Sequence, residues 1–512
     1  MNKPDTTSRT GKFIKNSAAT FIYQIVLLLS GFITPRIMLT FYGSEINGLV
    51  SSVAQFVSYL TLVEAGLSAS MIYSLYKPLA DKDEGAISSI VSAAKRFYYK
   101  SGYIFLSLIV FLAVFYPFVV DHPSGMGHID ILILVFITGV SGAIDLFTLA
   151  KYTALLNADQ KTYILSISSS IYVITNTSLI AIFAFLGLDI ALVKGIALLA
   201  VFLRTVILVL YCKKTYPYID YRAKPNYDAL SKRWDALFQQ ILGVVQNGAP
   251  VIILTIVTRN LKLVSIYTVY NMVVAGLNSL LGIFISGLSA SFGEVIAKGE
   301  QKTLQKAYSD FETAYYILIC IVYSVAFVMI LPFIKIYTSG ITDIVYTDAL
   351  IGFLFVLNGL LYNIKTPQGM LVLSAGLYKE TRYRSLIQAL LIIIVGVPFT
   401  FKYGVVGILI GLLSSNIYRS VDLLFFIPKY VTKLSFMKTL KKWIVIAVNT
   451  LVVFVVFSLI EFPVNNYFSW AFLAAIVCII SAVINIITFH ITCRLEVKSL
   501  FSRVLNLIKR KN

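Results

Sequence analysis

Charge is scarce in this sequence. Only 13% of its 512 residues are Asp, Glu, Lys or Arg, whereas soluble domains carry roughly 25%. The mean hydropathy is +0.84, which argues against any soluble catalytic or nucleic-acid-binding domain, despite a net charge of +19. We interpret the basic residues as topology signals and as contacts for anionic membrane lipids, with no nucleic acid as partner.

Cysteine and histidine are also rare, at four and three residues. The cysteines lie in apolar runs or at their predicted inner ends, so no disulfide framework is expected. The histidines lack the spacing of zinc ligands on one helix, and no P-loop follows a strand. We therefore expect no metal, no cofactor and no enzymatic activity.

Long apolar runs are abundant instead. About 20 helical residues cross a hydrocarbon core of roughly 30 Å, and these runs lack the alternating polarity of barrel strands. The first run, 13–40, is too long for the core of a cleavable signal peptide. The sequence predicts an all-α polytopic membrane protein with about fourteen transmembrane helices, over residues 13–40, 48–76, 101–120, 129–156, 162–186, 190–211, 236–258, 263–292, 311–336, 345–373, 385–400, 405–427, 443–461 and 469–492.

The distribution of basic residues predicts the orientation of these helices. With both termini inside (N-in, C-in), the inner segments contain 33 Lys and Arg residues and the outer side contains 4. Cytoplasmic loops are enriched in Lys and Arg, and one missed helix would invert every later loop. The predicted outer loops are too short for an extramembrane domain, so the function is expected to reside in the membrane.

A pentapeptide repeat suggests two related halves. GLSAS occurs at 66–70 and again at 287–291, predicted to end the second and eighth spans. An offset of six spans preserves direction, so the repeat is parallel, as in transporters with two lobes around a midplane cavity. The prediction is two six-helix lobes in parallel repeat plus two C-terminal helices, with these bounds: N-terminal lobe 1–211, basic cytoplasmic linker 212–235, C-terminal lobe 236–427, extra helices 428–492 and amphipathic cytoplasmic tail 493–512.

Charged residues inside spans are the first candidates for a functional site, because a charge at bilayer depth costs at least about 2.5–3.5 kcal/mol and usually faces water or protein. Nine of them are taken as candidates, six cationic and three anionic: Arg36, Lys151, Lys194, Arg204, Lys365, Arg419, Glu64, Asp145 and Asp422. Lys151 and Lys194 are interpreted as snorkelling near span ends, and Arg419 and Asp422 as an ion pair on one helical face.

The remaining candidates are expected to line a hydrated cavity. Arg36 follows Pro35, where a helix bend is expected, and Glu64 lies at mid-span. Polar stripes on the seventh and eighth spans can be packing contacts or a hydrogen-bonding wall; they contain Gln246, Asn247, Asn271 and Asn278. An excess of cations favours an anionic substrate, and phosphate suits arginine.

Four N-terminal segments carry a family resemblance: 12–17 (KFIKNS), 35–36 (PR), 45–49 (EINGL) and 64–67 (EAGL). They resemble the opening of the Wzx-type polysaccharide flippases, in the superfamily of multidrug exporters and lipid-linked oligosaccharide flippases. The resemblance is strongest over 12–80 and extends further in span count, repeat and basic linker. Asn47 replaces the Tyr that usually precedes the glycine, and Glu64 stands where Asp is common.

The resemblance implies a function. It implies a flippase that moves an undecaprenyl-diphosphate-linked oligosaccharide across the bacterial cytoplasmic membrane by alternating access, with polysaccharide polymerase or assembly proteins as partners. Arg36 and Glu64 carry over by position, and an ion or proton gradient with Glu64 titrating is the expected energy source. Arg204, Arg259 and Lys365 are hypothesised to contact the diphosphate or the sugars.

Three alternatives stay open. A cation-coupled multidrug exporter of the same superfamily usually has twelve spans and acidic rather than basic cavity residues. A glycan polymerase or ligase usually presents a large outer loop, which is missing here. A structural scaffold would have little use for buried charges.

Overall fold

The computed structural model describes residues 6–227, 233–286, 288–460 and 462–509. Eighteen α-helices account for most of this part of the chain, which contains no β-strand. The helices are α1 Thr6–Leu60, α2 Leu67–Asp81, α3 Glu84–Phe115, α4 His128–Thr148, α5 Ala150–Ala158, α6 Thr162–Phe185, α7 Ile190–Thr215, α8 Arg233–Thr258, α9 Leu261–Ser286, α10 Ser289–Ala297, α11 Gln301–Tyr337, α12 Ala349–Ile364, α13 Thr366–Ser374, α14 Tyr378–Tyr403, α15 Val405–Ile427, α16 Phe436–Ser458, α17 Tyr467–Thr492 and α18 Arg494–Lys509.

Twelve helical segments in the described residues are long and apolar enough to cross a membrane, so the chain is a multi-pass membrane protein. The first of them, Ile14–Glu64, covers 51 residues, about twice the length of one crossing. It contains a break at Gly43, where φ is 78° and ψ is 179°. Helix α8 contributes a shorter apolar segment, Gly248–Thr258. Twelve is therefore the number of qualifying segments, and fourteen crossings stays a prediction.

The break at Gly43 falls between the predicted spans 13–40 and 48–76. Glycine can adopt the positive φ found there. Pro35 lies within the helix, and the bend expected there stays a prediction. The predicted spans 48–76 and 101–120 left residues 77–100 as a connection between helices, which is wrong for most of that stretch. Helix α2 runs on to Asp81 and α3 starts at Glu84, so polar helical turns replace most of that loop.

Four membrane-spanning segments are divided by short breaks, and the breaks recur in the two halves of the chain. In the first half the breaks separate α1 from α2 and α4 from α5; in the second they separate α9 from α10 and α12 from α13. The short helices after the breaks pack together in each half, α2 on α5 and α10 on α13. The pentapeptide 66–70 begins a helix rather than ending one, since Gly66 adopts a left-handed conformation (φ 78°) before α2 starts. This recurrence supports a parallel repeat.

The described residues group into two compact units, 1–265 and 266–512. In the first unit, the second part of α1 packs closely against α8 and the start of α9. Buried polar contacts join them: Asn47 Nδ2 donates to Ser265 Oγ of α9 at 2.7 Å, and the hydroxyls of Ser52 and of Thr255 on α8 are 2.8 Å apart. Gly48 permits the approach, because a Cβ there would lie 1.9 Å from the Leu261 carbonyl oxygen.

Replacing Gly48 with alanine should therefore destabilise the first unit. The added methyl meets backbone, which cannot rotate away, and overpacking typically costs about 1–3 kcal/mol. The matched control is Gly31→Ala on the same helix, where a Cβ meets nothing within 4 Å and alanine favours the helix by about 0.5–1 kcal/mol. Thermal unfolding in detergent should show a lower Tm for Gly48→Ala only. Equal Tm values for both variants would contradict this packing.

In the second unit, α16 and α17 pack against α11. The tail also forms a helix as predicted, α18, which packs on α11 and α17. The Ser499 hydroxyl donates to Asp310 Oδ2 at 2.8 Å, and the Ser309 hydroxyl donates to Glu496 Oε1 at 3.0 Å. These contacts attach the start of the tail to the helical body.

Candidate functional site

Glu64 lies at a helix break in the first unit. It is the last residue of a short 3-10 helix, Thr61–Glu64, two residues before the left-handed Gly66. The side chain is half-buried and lies within electrostatic range of Asp145 and of the buried Tyr98. The break places a carboxylate beside backbone groups that no continuous helix satisfies, as at ion and substrate sites in transporters.

Asp145 and Arg204 form an ion pair close to the second break of this unit. Asp145 is near the end of α4, and its Oδ2 lies 3.5 Å from Arg204 Nη1 of α7. The pair is incompletely satisfied: Asp145 Oδ1 and Arg204 Nε are buried without a hydrogen-bond partner. The sequence predicted both as buried charges, but not that they pair.

The other predicted residues of the first unit are spread out. Arg36 is half-buried on α1, and Gln246 is half-buried on α8. Asn247 lies on the same helix, with its side chain outside the described part of the structure. Arg259 is exposed in the short connection after α8, with φ 56°, so it lies at a helix end rather than among buried groups.

Lys365 lies at a helix break of the second unit, between α12 and α13. It is 8% exposed, and its Nζ donates to Asn416 Oδ1 at 2.6 Å. The Tyr362 ring centroid is 5.2 Å from Nζ. Among the described residues no carboxylate forms a salt bridge with Lys365, so its charge is balanced only by neutral dipoles and a ring.

Asn278 belongs to a polar cluster next to Lys365. Its Oδ1 accepts hydrogen bonds from Tyr323 OH and from Asn363 Nδ2, both at 2.6 Å. Asn363 precedes Lys365 by two residues and also accepts from Tyr315 OH at 2.7 Å. The structure thus brings Asn278 and Lys365 to one break. Asn271, two helical turns earlier, is exposed.

The predicted pair Arg419–Asp422 is confirmed, with Arg419 Nη1 2.7 Å from Asp422 Oδ2. Arg384 approaches the same carboxylate from α14. The carboxylate is therefore shared by two cations, and this cluster adds one net positive charge to the second unit.

Sequence reasoning missed a fully buried ion pair, Glu312 with Lys442. The Nζ to Oε2 distance is 2.8 Å, and both side chains are at most 3% exposed. Tyr308 and Thr439 donate to the other carboxylate oxygen at 3.0 and 2.9 Å. Glu312 is the second residue of the predicted span 311–336 and was not among the candidates, and Lys442 lies one residue before the predicted span 443–461. Their similar position at the start of a span was the only signal in the sequence that they could meet.

The comparisons with known proteins concern the fold. No family model matches the sequence, and no curated protein matches it. A structure titled "Lipid II flippase MurJ, inward closed conformation" matches with a TM-score of 0.70 and 17% identity, over 93% of this chain and 99% of that one. An inward-facing multidrug resistance MATE transporter of the MOP superfamily gives 0.61 and 15%, over 81% and 96%. A MOP superfamily transporter from Pyrococcus furiosus gives 0.57 and 14%, over 81% and 94%.

The chain therefore shares the fold of these solved structures. At these identities the likeness establishes the fold alone, and function must be argued from specific residues. The Wzx-type subfamily stays a prediction.

Proposed function

We propose that this protein is a flippase that translocates undecaprenyl-diphosphate-linked oligosaccharide repeat units across the bacterial cytoplasmic membrane for surface polysaccharide biosynthesis. The observation that carries the proposal is the buried Lys365 with no salt-bridge partner among the described residues. A cation in that position is costly unless a ligand supplies negative charge. A lipid diphosphate supplies it.

The breaks in both units support substrate binding there. Glu64 and Lys365 each lie at an interruption of a membrane-spanning helix, and transporters build their substrate sites at such interruptions. The hydroxyls and amides around Asn278 suit the hydroxyl groups of a sugar chain. The half-buried Arg36, the Asp145–Arg204 pair and Arg259 would contact the same substrate as it moves.

The extent of the structural match favours a lipid-linked substrate. The match to the MurJ structure covers 93% of the chain and the match to the MATE transporter covers 81%. The difference is about the length of α16 and α17 together. These two helices correspond to the predicted extra pair at 428–492.

The proposal includes alternating access, which the recurrence of the helix breaks supports. Two lobes with the predicted bounds, 1–211 and 236–427, would change their arrangement during transport, with both termini in the cytoplasm. Membrane lipids would surround the protein, and polysaccharide polymerase or assembly proteins would receive the product.

A cation-coupled multidrug exporter is the second candidate, because MATE transporters share the fold. It would use Glu64 and Asp145 to bind cationic compounds. The cationic groups at the breaks, Lys365 and Arg204, oppose such a substrate electrostatically.

Deletion of the gene and complementation with variants test the proposal. Arg36→Ala and Glu64→Gln should each lower the surface glycan by tenfold or more at equal protein levels, since each removes a charge-assisted contact worth about 1.5–3 kcal/mol. Lys402→Gln, an exposed lysine at the end of α14, is the matched control. Wild-type glycan levels with both site variants would show that these residues are not in the substrate path.

A further inference from the structure

A groove on α3 in the first unit is lined by basic and aromatic side chains: Lys95, Arg96, Tyr99, Lys100, Tyr103 and Ile104. Its free volume is about 490 Å³. Arg96, Lys100 and both tyrosines are exposed, so the groove is open to the surroundings.

The cations of the groove are not held in ion pairs. In the described parts of the chain, none of Lys95, Arg96 and Lys100 forms a salt bridge. Behind them lies Lys151, a fourth cation that is 9% exposed. Its Nζ donates to the Phe147 carbonyl oxygen at 3.5 Å. A buried lysine with so weak a partner calls for an anion nearby.

Aromatic rings fix the shape of the groove. Phe147 packs edge-on against Tyr99 and Tyr103, with centroid distances of 5.5 and 5.2 Å. Lys95 and Lys151 both lie 5.9 Å from the Tyr99 ring centroid. The rings hold these two ammonium groups on one side of the groove. A row of fully solvated surface lysines would not be held in this way.

The position along α3 indicates the depth of the groove. Helix α3 has 32 residues, about 48 Å at 1.5 Å per residue, which is longer than the roughly 30 Å hydrocarbon core. Its charges end at Lys100, and an apolar stretch follows. Lys95–Lys100 therefore lie where the apolar stretch meets the polar turns, at the level of lipid phosphates, and tyrosines are typical of this level.

We propose that this groove binds the phosphate group of an inner-leaflet lipid. Lys95, Arg96 and Lys100 would donate to the phosphate oxygens, Lys151 would add its charge from behind, and Tyr103 with Ile104 would contact the first carbons of the acyl chains. The site lies within the first unit and does not depend on the transported substrate. The lipid-binding proposal can therefore be tested separately from the flippase proposal.

Native mass spectrometry of the purified full-length protein tests the site. We expect phosphatidylglycerol to bind with saturation, at least tenfold tighter than phosphatidylcholine. Lys95→Gln combined with Lys100→Gln should weaken phosphatidylglycerol binding by tenfold or more. The matched control is Lys213→Gln combined with Lys214→Gln, which removes the same charge from the exposed end of α7 and should change binding less than twofold.

Three results would overturn the proposal. The groove variant could bind phosphatidylglycerol as the wild type does, or both double variants could lose binding equally, which would indicate a diffuse charge effect. Displacement of the lipid by millimolar inorganic phosphate would identify a site for the free ion instead. Lys95 and Lys100 are not fully buried, and an unchanged Tm of the variant would exclude misfolding as the cause of lost binding.

Discussion

Lys365→Met should reduce export of surface glycan to less than a tenth of the wild-type level without lowering the stability of the protein. The ammonium group is 8% exposed and held by one neutral amide oxygen at 2.6 Å. A charge at bilayer depth costs at least about 2.5–3.5 kcal/mol, and methionine removes that cost at nearly the same volume. Transport falls because the contact of the ammonium with the diphosphate is lost, at tenfold per 1.4 kcal/mol.

Transport and stability must both be measured on the Lys365→Met variant. Surface glycan in the complemented deletion strain reports transport, and the unfolding midpoint in detergent reports stability. Lys402→Met serves as the control, because that lysine is exposed. A variant that loses stability and export together would show that Lys365 is structural.

Lys442→Met should have the opposite pattern and lower the free energy of unfolding by about 3–5 kcal/mol. It leaves the Glu312 carboxylate buried among neutral donors such as Tyr308 and Thr439. The pair joins α11 to α16, so its loss should loosen the extra helices from the second unit. Chemical unfolding monitored by tryptophan fluorescence would report this, since Trp443 adjoins Lys442 and donates to Tyr316 OH at 3.0 Å.

A second substitution separates the charge from the packing. Combining Lys442→Met with Glu312→Gln removes both charges and should recover most of the lost stability, because an apolar or neutral replacement of a whole buried pair is often tolerated. If the double variant loses as much stability as the sum of the losses measured for Lys442→Met alone and for Glu312→Gln alone, the electrostatic explanation is wrong.

The sequence predicted local features well, because they depend on short-range patterns. Helical apolar runs, the helical tail and the Arg419–Asp422 pair at three-residue spacing were all confirmed. The breaks were harder to predict. The break at Gly43 falls between two predicted spans, whereas the run containing Gly66 is continuous in hydropathy, and only the backbone angles reveal where that helix is interrupted.

Pairings between spans could not be predicted in the same way. Helical periodicity tells which face of a span a residue occupies, but not which neighbouring helix meets that face. Asp145 meets Arg204 on α7, and Lys365 meets Asn416 on α15, 51 residues away. Glu312 and Lys442 looked interfacial because each stands beside the first apolar turn of its span. In the structure, packing of α11 on α16 buries both.

Reconstitution with a labelled substrate tests the central claim most directly. Purified protein in liposomes would be given fluorescent undecaprenyl-diphosphate oligosaccharide, and the fraction crossing to the opposite leaflet would be measured with a membrane-impermeant quencher. The proposal predicts translocation by the wild type, less than a tenth of that rate for Lys365→Met, and no transport of cationic dyes. Transport of a cationic dye, with the lipid-linked oligosaccharide remaining in its original leaflet, would contradict it.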